Sequence, residues 1–242
     1  MVVSAVLVDK IFCLSFVAGL CTTAGAILLF IKQELSDRGL AFFLGLASGV
    51  MLAVVLFDML PSALLFSGGM KSVAGVVLGL VFLAVFDRHL FSRMAGNGTL
   101  TGLGYLIMLG IAVHDLPEGM AIALGEEMKA RTGMVIALGI AIHNIPEGMA
   151  IAAPLLMGGN SRLSILLQTF LVGLVTPVGT FAGKISVANL PELLPLLLGF
   201  ASGIMLYLVL FQLWPQTASI DRKSRWWGLW TGVVIILAAT FF

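Results

Sequence analysis

Residues 45–61 read GLASGVMLAVVLFDMLP, and residues 199–215, 154 positions later, read GFASGIMLYLVLFQLWP. Residues 16–25, FVAGLCTTAG, return as FLVGLVTPVG at 170–179 with the same offset. Two matches at one ungapped spacing mark an internal duplication. A third apolar run in each half, near 71–90 and 225–242, is expected to pair at that spacing too, with little identity. Two further apolar runs separate the halves, so the chain divides as three, two and three.

The composition says what these runs are. Of 242 residues, 60% are hydrophobic and 10% charged, against about 25% charged in a soluble domain. Mean hydropathy is +1.12. A membrane crossing takes about 20 apolar residues, and eight candidates lie at 8–31, 40–62, 71–90, 102–125, 134–157, 163–184, 191–214 and 225–242. The runs are continuous and lack the alternation of a lipid-facing strand, which excludes a barrel. The expected fold is all-α, an integral membrane protein of eight transmembrane helices forming one transmembrane domain over residues 1–242. The first helix reads as retained, not as a signal peptide. Equivalent helices are five crossings apart, so the two triplets run in opposite directions. This is the inverted repeat of secondary transporters, whose sites lie near the midplane.

Cys13 and Cys21 are about 12 Å apart along one helix, too far for a disulfide, and read as buried thiols. Net charge is +1, which leaves nucleic acid out as a partner. The loops after helices 1, 3, 5 and 7 hold Lys32, Arg38, Arg88, Arg93, Arg162, Arg222, Lys223 and Arg225. The other side holds Lys10, Lys71, Lys129, Arg131 and Lys184. By the positive-inside rule both termini are expected to be extracytoplasmic, in the cell membrane.

The central pair carries the chemistry. HDLPEGMAIA at 114–123 recurs as HNIPEGMAIA at 143–152. An ionisable side chain at this depth costs about 3 kcal/mol on insertion scales, and these helices hold His114, Asp115, Glu118, His143 and Glu147 beside Asn144. From His114, Glu118 falls about 40° and Asp115 about 100° around the helix. The second copy repeats this on an antiparallel neighbour. If the faces meet, two glutamates lie centrally, histidines on one side, and Asp115 with Asn144 on the other. Such a set suits one or two divalent cations, and imidazole with carboxylate favours first-row transition ions and zinc over magnesium. Pro117 and Pro146 are expected to break the helices and free the carbonyls of Val113 and Ile142. Gly119 and Gly148 are expected to leave the backbone lightly covered.

With these motifs in a three-two-three chain, the sequence resembles the ZIP (Zrt/Irt-like) metal transporters, and more closely their bacterial-type GufA/ZupT branch. The resemblance implies uptake of Zn²⁺ or related ions (Fe²⁺, Mn²⁺, Co²⁺, Cd²⁺) as bound substrate, with no resident cofactor, between helices 4 and 5. It also implies a homodimer and an elevator-like shift of helices 1, 4, 5 and 6. Carried over by position, His114, Glu118, His143 and Glu147 match the primary ligands, Asp115 and Asn144 second-site positions, and Met51 a helix 2 methionine that can join the primary site. The chain departs at Thr176, where relatives often carry a glutamate before the helix 6 proline, and in a short loop with His89 alone where relatives carry a histidine-rich tract.

Two other readings stay open: an intramembrane metal-dependent hydrolase and a passive cation channel. The order H-x-x-x-E differs from the H-E-x-x-H of zincins. No G-x-x-x-x-G-K loop is present, so movement would run on gradients. Asp58, near the outer end of helix 2, reads as an interface acid, with cation recruitment at the mouth as the alternative; Glu126 and Glu127 read as a solvated loop, with cation attraction the lesser reading.

Overall fold

The computed structural model describes residues 10–31, 35–65, 69–91, 99–186, 190–218 and 220–241, so Lys32 and Arg93 lie outside the described residues. Eight helices fill these segments. They are α1 (Lys10–Phe30), α2 (Asp37–Val54, continuing through a π-helical Val55–Met59 to Leu60–Leu65), α3 (Gly69–Phe86, ending in a π-helical Asp87–Phe91), and α4 (Leu100–Met128). Then follow α5 (Ala130–Met157), α6 (Arg162–Gly173 and Val175–Ile185), α7 (Leu190–Tyr207, a π-helical Leu208–Leu213, then Trp214–Ala218) and α8 (Arg222–Phe241). Seven, α1 to α7, are long and apolar enough to cross a membrane. The 20-residue α8 opens on RKSRWWGLW, which dilutes its apolar second half.

Helix starts follow capping chemistry. Ser36, Thr99, Ser161 and Asp221 each accept a hydrogen bond from a backbone N–H three residues on, at the heads of α2, α4, α6 and α8. Such caps satisfy donors that have no partner within the helix. Chain alternation puts all four at one end of the bundle. At the other end α4 and α5 are joined through Lys129 alone, in extended conformation.

Packing sorts the helices into two groups. In the first, α1 lies on α5 and α6, and α4 lies on α5 and α6. In the second, α2 pairs with α8 and α3 with α7. Glycines make the crossings within each group. A Cβ on Gly19 of α1 would collide with the carbonyl oxygen of Gly173 of α6, and the reverse holds. These two residues are repeat mates, so the crossing lies on the pseudo-two-fold axis. Gly25 meets Ile145 just as its mate Gly179 meets Leu116. Small residues at such crossings let backbones approach closely, the main source of packing energy between helices in lipid.

The same contacts shift one expectation. Gly75 and Gly79 of α3 pack against α7 as Gly228 and Gly232 of α8 pack against α2. The third helices therefore pair at an offset of 153, one less than the other two. Both carry G-x-x-x-G, GVVLG and GLWTG, so the sequence held the signal.

Three other expectations change. α4 and α5 run unbroken through Pro117 and Pro146. A proline removes one hydrogen bond, and neighbouring helices hold the rest of the ladder in place. The interruption falls instead at Leu174 of α6, three residues before Pro177. Cys13 is exposed on α1 and Cys21 half-buried, so neither is a core thiol. Glu126 sits inside the last turn of α4 and pairs with Lys184 of α6 at 2.7 Å, not in a solvated loop.

Candidate metal centre

Antiparallel α4 and α5 put Glu118 level with His143, and His114 level with Glu147. The side chains pair across the helices at each level. His143 Nε2 lies 3.1 Å from Glu118 Oε2. His114 Nε2 lies 3.3 Å from Glu147 Oε1 and 3.5 Å from Asp115 Oδ1. All five residues are buried. Each glutamate faces the histidine of the other helix.

The tautomer of His114 follows from its partner. Its Nδ1 lies 3.0 Å from the carbonyl oxygen of Gly110, an atom that only accepts. Nδ1 therefore carries the proton and the Nε2 lone pair points at the acids, the arrangement that orients ligating histidines. Two ligands bound at about 2.05 Å to a tetrahedral zinc sit about 3.3 Å apart. The three N···O separations bracket that value. His114, Asp115 and Glu118 offer ligand atoms all within 4.8 Å of one another. His114 Nε2, both oxygens of Asp115 and Glu147, and Glu118 Oε1 are buried without a hydrogen-bond partner among the described residues. Buried charge of this kind is paired or coordinates a metal. Neutral imidazoles and two glutamates together balance one dication, and Asp115 adds a third negative charge.

The remaining positions diverge. Asn144 turns to α1, donating from Nδ2 to the carbonyl of Ala18 at 2.9 Å, with its Oδ1 unpartnered. Met51 is fully buried in the main apolar core on α2. Thr176 is buried on α6 with its hydroxyl unpartnered. The motif glycines do not bare the backbone. Gly119 takes the carbonyl of Thr176 against it and Gly148 takes that of Thr22, and the two threonines are repeat mates. These glycines seat α6 and α1 beside the two clusters.

Among the described residues, a cavity of about 250 Å³ reaches one of the two levels. Glu118 and His143 line it, with Asp58 and Ser62 of α2 and Leu194 and Leu198 of α7. It lies toward the end where α4 meets α5. His114, Asp115 and Glu147 sit one turn deeper, about 6 Å along the helices. Beyond them Ile107 and Ile111 of α4 and Ile151 and Leu155 of α5 are completely buried, and Leu208 of α7 covers Gly110. Among the described residues, the cavity reaches the Glu118 and His143 pair from one side and bulky side chains fill the other. Asp58 thus faces the cavity. Sequence reading favoured the lipid interface for it, and its position on the cavity matches the alternative, an acid at the mouth.

The ZIP zinc transporter family matches residues 91–240, the stretch that holds α4, α5 and the second triplet. The chain is 34% identical over 227 residues to zinc transporter ZupT of Enterobacter sp. (strain 638), covering 88% of each chain. It is 32% identical to ZupT of Escherichia fergusonii with the same coverage. Zinc transporter ZTP29 of Arabidopsis thaliana is 32% identical over 259 residues, covering 95% of this chain and 92% of that one. The family is one of transporters, not enzymes, and the hydrolase reading falls away. On a family match across more than half its length and relatives above 30% identity along most of it, the chain belongs to the ZIP zinc transporter family.

Proposed function

We propose that this protein takes up divalent transition-metal cations, zinc foremost, through His114, Glu118, His143 and Glu147, with Asp115 able to serve a second ion. The two stacked His–Glu levels carry this reading, because their N···O separations fit neighbouring ligands on one ion. A cation entering beside Asp58 would exchange water for Glu118 and His143, then pass one turn inward to His114, Asp115 and Glu147. Asn144, next to His143 in sequence, and Met51 of α2 are kept as accessory positions. The bulky seal beyond His114 favours a carrier over a channel, since an open pore needs a continuous cavity. All five charged residues lie on α4 and α5, so these helices with α1 and α6 would move as one body against α2, α3, α7 and α8. A single transport unit spanning the chain, extracytoplasmic termini and a homodimer complete the proposal. The loop charges support the orientation.

Metal uptake into liposomes holding the purified protein tests it, with Zn²⁺, Fe²⁺, Mn²⁺ and Cd²⁺ compared in wild type and a Glu118→Ala, Glu147→Ala variant. Saturable flux that vanishes in the variant is expected. Unchanged flux in the variant, or flux that rises linearly without saturation, would overturn the site or the carrier.

A further inference from the structure

All four tryptophans of the chain, Trp214, Trp226, Trp227 and Trp230, lie at one place in the fold. They stand where α7 ends and α8 begins, at the end of the bundle that also holds Arg38, Arg88 and Arg162. Trp227 and Trp230 are 63% and 58% exposed. With Arg222, Lys223 and Trp226 they line a groove of about 460 Å³ on the outer surface of α8. One wall is held in place from behind. Arg225 stacks its guanidinium 4.3 Å from the Trp214 ring, and Trp214 packs edge-on against Trp226 at 4.9 Å.

The charge in this groove is poorly balanced. Arg222 and Lys223 are exposed in it, and behind its wall Nε and Nη1 of Arg225 are buried without a hydrogen-bond acceptor among the described residues. The nearby acid, Asp221, is engaged in capping α8, taking the Ser224 N–H at 2.8 Å. Hydrogen bonds from Ser224 hold its carboxyl below the usual range, with Arg38 and Lys223 adding to the effect. Beyond the cations, Trp227, Trp230 and Val234 follow at i, i+3 and i+7, an exposed apolar stripe running toward the membrane centre. Tryptophans of this kind settle at the membrane–water boundary, and basic residues beside them attract anionic headgroups.

We propose that this groove binds an anionic glycerophospholipid, its phosphate on Arg222 and Lys223 and an acyl chain along Trp227, Trp230 and Val234. The charge complementarity selects the headgroup and the apolar stripe selects a lipid over a free anion. Because every tryptophan belongs to the patch or its wall, intrinsic fluorescence reports this place and is independent of metal transport.

The test is quenching of that fluorescence by lipids brominated on the acyl chain, with the full-length protein reconstituted in phosphatidylcholine bilayers. Brominated phosphatidylglycerol should quench at several-fold lower mole fraction than brominated phosphatidylcholine, by about fivefold per cation engaged. An Arg222→Ala, Lys223→Ala variant should lose the preference while still being quenched. Equal quenching by both lipids, or a preference that survives in the variant, would overturn the proposal. Loss of the preference in the presence of millimolar glycerol phosphate would also overturn it, in favour of a soluble anion. Quenching by neither lipid would overturn it as well, since the groove would then be covered, by a second copy of the chain for example.

Discussion

The two four-helix groups use the same device for different ends. In each, glycines bring backbones into direct contact: Gly19 on Gly173 and Gly148 on Thr22 in the first group, Gly49 on Leu229 and Gly203 on Val76 in the second. Between the groups the contact changes character. There Gly110 of α4 meets only the side chain of Leu208, and α2 and α7 present buried aliphatic residues to α4 and α5. Interlocked backbones resist sliding, whereas smooth apolar side chains in a bilayer have little to hold them in one register. The first group also owns the buried acids and histidines, while the second contributes Asp58 at the cavity mouth. Rigidity within each group and smoothness between them suit the movement proposed above.

The largest expected effect falls on the chemistry of the first group. Glu118→Ala or Glu147→Ala should lower zinc flux by about 100-fold or more, on the order of the binding lost when one partner of a buried charge pair is truncated. The protein should still elute as a folded species in detergent, because each change removes a buried charge without touching a helix crossing. Next come the crossings themselves. Gly148→Ala places a methyl on the Thr22 carbonyl and should cost roughly 3 kcal/mol of stability, read as a lowered midpoint in thermal unfolding. Gly110→Ala meets only the Leu208 side chain, which can turn aside, and should cost about 1 kcal/mol. Its flux should nevertheless fall, since the added methyl roughens the boundary between the groups. Equal stability losses for the two alanines would erase the distinction between them. The smallest effect belongs to Asp58→Asn, which should raise the KM for zinc a few-fold at low ionic strength and leave the maximal rate nearly unchanged. The difference should shrink in about 0.5 M salt, where screening is strong.

Helix number and the inverted repeat were legible because lipid demands long apolar runs and because Gly45–Pro61 and Gly199–Pro215 kept their letters. The buried cluster of His114, Asp115, Glu118, His143 and Glu147 was legible because charge at the midplane needs a reason. Finer features depended on neighbours that no local pattern names. The π-helical turns at Val55–Met59 and Leu208–Leu213 occupy equivalent places in the repeats, yet their sequences, VLFDM and LVLFQL, are compatible with an ordinary α-helix. Pro117 and Pro146 looked like breaks because the rule for proline is local, while the hold of α1 and α6 on α4 and α5 is not. Asn144 was read as facing the cluster from its angle alone, and the Ala18 carbonyl that draws it away belongs to a helix 126 residues distant.

A covalent tie across the boundary tests movement of one group past the other most directly. Gly110→Cys with Leu208→Cys, in a Cys13→Ser, Cys21→Ser background, sets a thiol from each group at their point of contact, the smaller residue at 208 making room for the new side chain. Zinc flux into liposomes should stop when the pair is cross-linked and return on reduction. Full flux through protein shown to be completely cross-linked would contradict the account.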